Sequence, residues 1–329
     1  MYVIDAANFL PEVIVDNQYF AARTGKPEDW FARVTGIRER RRAAVGTGVD
    51  DLAVGAVAPL AARDPAQLAD VDYILACSYT PADTIGTIAH VVQRRFRIDR
   101  ARALLLSSAC SSVLNGLELA AALFESGRSQ KILLVAAEHN SLYAHDDDPQ
   151  SGHLWGDGAA ALLLGASPEG AQRSMYDVVD LITAGHGHLG AGPDAVSLKA
   201  RGAGLTMPHG REVFVHACHQ MAAASRTIMA RNHIDVGAIR LMVPHQANRR
   251  IMNHVADDLG ITAEQVASTI ETCGNTGCAS VLVTLIEHQQ RLQPGDLALL
   301  AVFGGGYSSG AALLRARQVC RAPGDISMD

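Results

Sequence analysis

Three residues far apart in the chain have the types and local settings for acyl chemistry. Cys110 stands in SSACSS directly ahead of a long apolar helix, so its sulfur lies near unsatisfied backbone N–H groups and the positive end of a macrodipole. That setting favours the thiolate, the form of cysteine that can take an acyl group from a thioester. His245 stands in VPHQANRRI, where a buried strand from Leu241 to Val243 gives way to a polar helix start. Asn275 stands in CGNTGCAS, where Gly274 and Gly277 tighten the backbone and hold the amide facing one way. An imidazole and a neutral amide together offer two donors to an oxygen that becomes negative, as the oxygen of an enolate does. The stretch FGGGYSSG, Phe303 to Gly310, follows the strand Leu297 to Val302, and its glycines can bring bare backbone N–H groups to a reacting carbonyl. No Lys-Ser/Thr follows those glycines, so a phosphate loop is excluded.

The remaining reactive types read as background. The six cysteines, Cys77, Cys110, Cys218, Cys273, Cys278 and Cys320, form no CxxC pair and no Cys/His quartet, which argues against a disulfide framework and structural zinc. Cys77, Cys218 and Cys320 read as small packing residues. His186 and His188 have no Cys or Asp at ligand spacing, so no metal site is expected.

Positioning such a trio falls to alternating strands and helices. Apolar periodicity predicts a strand at Tyr73 to Cys77, a helix at Ile85 to Phe96, a strand at Ala103 to Ser107, a helix from Ser111 to Glu125 stopped by Gly127, and a doubly buried strand at Lys131 to Ala137. Residues 110–135 and 275–300 share one grammar: a small polar opening, an apolar helix, a turn with Gly and a buried strand. Val71 to Cys77 likewise matches Ile239 to His245, and GDGAAALLL from Gly156 matches SSGAALLRA from Ser308. Three matched blocks in one order imply an internal duplication. We therefore expect an α/β fold of two similar halves, 1–170 and 171–329, with the boundary in the turn-rich stretch Ser167 to Ser174. The duplication superimposes Cys110 on Asn275, so Cys, His and Asn converge near the pseudo-axis.

Composition sets the outer limits. The chain of 329 residues has a 48% hydrophobic and 19% charged make-up, enough for a large core and too apolar for disorder. A net charge of −6 gives no broad footprint for nucleic acid. No apolar run reaches the roughly 18 residues that span a bilayer, and MYVIDAANFLPE has no basic leader, so a cytoplasmic protein without membrane attachment is expected.

The motifs resemble the β-ketoacyl-acyl-carrier-protein synthase III group of thiolase-like condensing enzymes. The likeness runs over nearly the whole chain: DWFARVTGIRERR near Trp30, ACSS at Cys110, WGDGAAALLL at Gly156, MPHGREVF at Gly210, VPHQANRRI at His245, GNTGCAS at Asn275 and FGGG at Gly304. It implies a duplicated five-layer αβαβα fold, a homodimer, and a ping-pong acyltransferase that needs no cofactor beyond thioesters of coenzyme A or acyl carrier protein. In that mechanism Cys110 is acylated, His245 and Asn275 hold the enolate of a decarboxylating malonyl-type thioester, and the backbone amides of Cys110 and Gly305 form the oxyanion hole. The resemblance also assigns Asn248 and Phe214 to a pantetheine channel, Trp30 to stacking on a nucleotide base, and Phe303 to a place beside the nucleophile.

Several positions depart from the family pattern. Val34 stands where an arginine clamps coenzyme A, with Arg33 one place early, and Ser151 replaces a second such arginine. Val215, Asp257 and Asp258 stand where lysines face the acidic carrier protein, while Arg249 and Arg250 remain to attract it. Ile85 replaces the aromatic that crosses the dimer interface to close the acyl pocket, a change that admits a longer or branched chain. An intact trio with altered substrate-handling residues points to fatty-acid or polyketide-type specialised metabolism. Two other readings are acyl transfer from Cys110 to an oxygen, nitrogen or carbon nucleophile without decarboxylation, and a non-catalytic partner of a second ketosynthase.

Overall fold

The apolar runs fill the middle of a nine-stranded mixed sheet in the computed structural model, which describes residues 1–166, 174–199 and 202–317. In chain order the strands are β1 (Tyr2–Phe9), β2 (Val13–Asp16), β3 (Glu39–Arg42), β4 (Tyr73–Cys77), β5 (Arg102–Leu106), β6 (Lys131–His139), β7 (Asp157–Gly165), β8 (Tyr176–Gly185), β9 (Ser197–Lys199), β10 (Gly204–Thr206), β11 (Ile239–Pro244), β12 (Leu297–Gly304) and β13 (Ser308–Ala316). The helices are α1 (Asn17–Thr24), α2 (Glu28–Thr35), α3 (Val49–Arg63), α4 (Ile88–Phe96), α5 (Ser112–Glu125), α6 (Gly210–Arg231), α7 (Arg249–Leu259), α8 (Ile270–Cys273) and α9 (Ser280–Glu287).

The order β11-β12-β13-β8-β1-β7-β6-β4-β5 is built twice over. Outward from the centre, β1, β7, β6 and β4 correspond to β8, β13, β12 and β11, with the same sequence of antiparallel and parallel pairings. The matched sequence blocks thus occupy matched strands. The fifth strand of the second half is reduced to a single parallel bridge, Met242 with Val266, where β5 pairs fully with β4 in the first. Among the described residues the two half-sheets are hydrogen-bonded into one through two register pairs between β1 and β8, at Tyr2 and Val3.

Strand alternation sorts side chains into three layers of core. Leu75, Leu134, Leu241 and Leu300 face inward onto α5 and α9, which lie between the two half-sheets. Ile74, Leu133 and Leu163 face α3 and α4 on one outer side. Met242, Leu299 and Leu313 face α6 and α7 on the other. The result is five layers, αβαβα. The expected boundary in Ser167 to Ser174, between halves at residues 170 and 171, lies outside the described residues but for Ser174, as does Cys320. Among the described residues no helix is long and apolar enough to cross a membrane, and no group of three His, Cys, Asp or Glu side chains is placed to hold a metal.

Candidate active site

Cys110 ends the turn between β5 and α5, and the serines of its motif shape that turn. Ser112 Oγ donates to Ala109 O at 2.6 Å and accepts the Ser108 N–H at 2.8 Å; Ser111 Oγ donates to Ser108 O at 2.7 Å and lies 2.5 Å from Ser308 Oγ. These bonds hold Ala109 at φ +51°, a left-handed conformation that costs a residue with a Cβ and persists only when its surroundings impose it. Gly304 backs onto the same turn: a Cβ there would sit 2.8 Å from Cys110 N and 3.0 Å from Ser111 N. The glycine loop therefore comes to the nucleophile as expected, carrying Gly305 with it. The helix start does not decide the ionisation, however. Burial pushes the Cys110 thiol up to about 12 and the Glu138 carboxylate adds to the rise, against smaller opposing effects of the Tyr79 hydroxyl and the cysteine's own backbone N–H. Desolvation of the anion thus works against the ready thiolate expected at this helix start.

His245 follows β11 directly and is buried. Its Nδ1 lies 2.7 Å from Ser280 Oγ, the first residue of α9, and the same Oγ accepts the Gln246 N–H at 3.3 Å. With Nδ1 engaged, Nε2 is the nitrogen left for a substrate. Burial lowers the imidazole to about 4, so it is neutral at physiological pH. A neutral ring whose Nδ1 accepts the Ser280 proton carries its own proton on Nε2, which makes it a hydrogen-bond donor to the cavity.

Asn275 is held by the WGDG segment. Its N–H donates to Leu154 O at 2.9 Å and its carbonyl accepts the Gly156 N–H at 3.0 Å. Its Oδ1 accepts the Gly277 N–H at 3.0 Å, which leaves the Nδ2 donor free to face outward. Gly274 at φ +67° and Gly277 at φ +57° both take a positive φ that suits glycine, in keeping with the tight backbone expected there.

Two cavities meet at Cys110. The narrower, of about 40 Å³, is walled by Cys110, His245, Asn275, Phe303, Gly305 and the apolar side of α6. The other, of about 240 Å³, is walled by Cys110, Gly305, Tyr79, Ser107, Ser197 and Leu205. Cys110, His245, Asn275, Phe303 and Gly305, predicted from scattered motifs, are thus brought to one wall.

Of the substrate-binding residues taken from the resemblance, Phe303 lines the narrower cavity, whereas Trp30, Ile85, Phe214 and Asn248 line neither. Asn248 spends its Oδ1 capping α7, accepting the Arg250 N–H at 2.8 Å. Phe214 packs against the core under α6, and Ile85 is 86% exposed. Trp30 is half-buried, with the Lys26 ammonium 3.7 Å above its ring and His153 edge-on to it. Ser151 is buried and donates to Asp148 at 2.6 Å. Arg249 is ion-paired with Glu271, Arg250 is exposed, Asp257 is exposed, and Asp258 pairs with Arg226 at 3.0 Å.

Sequence reasoning missed Ser280, Tyr79 and Glu138. Ser280 closes the GNTGCAS motif and could have been found as its last residue. Glu138 is a fully buried carboxyl on β6 that accepts from Ser78 Oγ, Thr80 Oγ1 and the N–H groups of Tyr79 and Thr80. Burial raises it to about 7, opposed by hydrogen bonds from Cys278, Thr80 and the Tyr79 backbone. Nothing in one sequence marks a glutamate at the end of an apolar strand as buried behind a nucleophile. Cys77, Cys218, Cys273 and Cys278 are free and buried, as packing residues are.

Comparison with known proteins agrees with this geometry. The model for 3-oxoacyl-[acyl-carrier-protein (ACP)] synthase III matches residues 106–181, and that for the C-terminal part of the same enzyme matches residues 229–316. A β-ketoacyl-[acyl-carrier-protein] synthase III of Nitratidesulfovibrio vulgaris strain DP4 is 34% identical, covering 93% of this chain and 96% of the relative. The crystal structure of a synthase III from Thermus thermophilus superposes with a TM-score of 0.88 at 32% identity, covering 96% of this chain and 99% of the other. The priming β-ketosynthase of the R1128 polyketide pathway superposes at 0.86 with 25% identity, covering 97% and 96%. The chain belongs to the β-ketoacyl-acyl-carrier-protein synthase III family, and is an acyltransferase of the condensing type.

Proposed function

We propose that this enzyme condenses an acyl group held on Cys110 with a malonyl-type thioester, releasing carbon dioxide. The observation that carries the reading is the pair of cavities that share Cys110 while only the narrower one holds His245 and Asn275. In the first half-reaction the Cys110 sulfur bonds to the acyl carbon and the donor's C–S bond breaks. The proton lost by Cys110 ends on the departing thiol. The backbone amides of Cys110 and Gly305 receive the oxyanion. In the second, the malonyl C–C bond breaks and its electron pair becomes an enolate whose oxygen is held by His245 Nε2–H and Asn275 Nδ2. The enolate carbon then attacks the acyl carbon and frees the Cys110 sulfur. Each of these steps draws on groups of the chain itself.

The positions that the resemblance gives to coenzyme A support a donor other than the free thioester of that cofactor. Lys26 covers the Trp30 face, Val34 and Ser151 supply no guanidinium, and Ser151 is turned inward onto Asp148. An acyl carrier protein is the favoured partner, met by Arg250, with Asp257 and Asp258 altering the docking surface. Such drift around an intact trio suits specialised fatty-acid or polyketide-type metabolism in the cytoplasm. A homodimer formed along the β5 edge is part of the same reading.

The decisive experiment is intact-protein mass spectrometry with a panel of acyl thioesters, followed by carbon dioxide release from malonyl-carrier protein. An acyl adduct on the wild type that is absent from Cys110→Ala, with stoichiometric carbon dioxide, is the expected result. An adduct without carbon dioxide would transfer the enzyme to non-decarboxylative acyl transfer, and no adduct at all would end the acyltransfer mechanism as drawn.

A further inference from the structure

We propose that Tyr79 is a catalytic residue of the acylation step, its phenol donating a hydrogen bond to the Cys110 sulfur from the side of the larger cavity and so holding the attacking thiolate. This rests on Cys110 being the acylated nucleophile. The two donors of the proposed condensation, His245 and Asn275, lie on the other cavity; Tyr79 and Cys110 share the larger one.

The hydroxyl is buried and, although the Asn140 side chain lies close enough to act on it, no described residue gives it a hydrogen bond of good length and angle. Native proteins rarely keep such a group unpaired, since a buried hydroxyl without a partner costs stability that phenylalanine would recover. Its position is also built. The Tyr79 N–H donates to both oxygens of Glu138 at 3.3 Å, and Ser78 and Thr80 on either side bind the same carboxyl. Gly277, at φ +57°, makes room for the ring tip: a Cβ there would lie 2.5 Å from the phenol oxygen and 2.9 Å from its Cε1. Glu138 thus fixes the backbone of Tyr79 and Gly277 seats its far end.

The electrostatics leave a task for this group. Glu138 on β6 faces Cys110 and opposes its ionisation, as burial does. The buried thiols of Cys77 on β4 and Cys278 ahead of α9 face the same region, and His245 after β11 is neutral. No cation stands among these groups, and the Tyr79 hydroxyl is the side chain that draws the Cys110 ionisation downward. When the thiolate attacks, the C–S bond forms, the donor's C–S bond breaks and the leaving thiol takes the proton Cys110 lost. Tyr79 keeps its own proton throughout.

The test is the pH dependence of Cys110 alkylation by iodoacetamide, followed by peptide mass spectrometry in the full-length protein, with a thermal melt as control. In Tyr79→Phe the alkylation midpoint moves up by about one pH unit or more, a roughly tenfold slower reaction below the midpoint, while the melting temperature stays level or rises. Replacing Tyr79 by 3-fluorotyrosine, a stronger donor of the same shape, moves the midpoint down. An unchanged midpoint in both variants overturns the proposal, as does a Tyr79→Phe enzyme that alkylates normally but changes its acyl preference, which would place the phenol against the substrate chain. Failure of the wider mechanism reads differently: Cys110 would alkylate with the same Tyr79 dependence yet never carry an acyl group.

Discussion

In the proposed condensation His245 acts as a donor because of what surrounds it. Burial removes the charge and Ser280 takes Nδ1, so the ring meets a substrate through Nε2. In His245→Ala and Asn275→Ala, carbon dioxide release should fall by about 10²–10³-fold each, the usual cost of one oxyanion donor, while the acyl adduct on Cys110 still forms in a mass-spectrometric assay. The same burial has a consequence for stability. The folded imidazole at about 4 lies below its ordinary 6.5, so between these values the unfolded chain binds the extra proton and stability falls as pH drops. Roughly 3 kcal/mol is at stake across that window, at about 1.4 kcal/mol per pH unit. Urea unfolding at pH 7 and pH 4.5 should show a smaller acid loss in His245→Gln than in the wild type. His153, lowered by burial and by Arg40 and Lys26 to about 3, acts in the same direction and remains in both proteins.

At the scale of elements, the site depends on places where a backbone must pass another without a side chain between. Gly156 is the tightest: a Cβ there would meet Cys273 O at 1.9 Å, in the segment that clasps Asn275. Gly156→Ala should therefore destabilise the fold by about 2–4 kcal/mol, as overpacking beside backbone does, and lower condensation more than acylation; a melt and the two half-reactions measured separately check it. The elements themselves were largely legible. Tyr73–Cys77 came out with the limits read from its five apolar residues, and α5 within one residue of its expected start. The helix expected from Ile85 begins at Ile88 instead. Asp83 accounts for the difference, since its carboxylate accepts the N–H groups of Ile85 and Gly86 at 2.8 and 2.6 Å and so offers that backbone an alternative to a helical turn. Glu138 was illegible for a physical reason: whether a carboxyl at a strand end is solvated or buried depends on the layer laid over it, here the loop of residues 78–80.

Across the whole molecule the sheet ends on an exposed edge. Among the described residues β5 has no strand beyond it, Leu104 on it is 42% exposed, and Gly86, next to the exposed Ile85, rests on Leu105. An apolar open edge invites pairing with a second copy. Leu104→Lys should convert the proposed dimer to a monomer in light-scattering chromatography, and a wild-type chain that runs as a monomer would remove this edge as an interface. The periodic elements, the duplication and the candidate Cys-His-Asn trio are readable from the chain alone, because apolar period, glycine conformation and residue chemistry are local properties that a single chain displays. The surroundings that act on the Cys110 thiol, the free nitrogen of His245, and the place of Tyr79 and Glu138 behind the nucleophile emerge with the folded layers. Those depend on desolvation and on hydrogen bonds between layers that meet only when the two halves fold around α5 and α9.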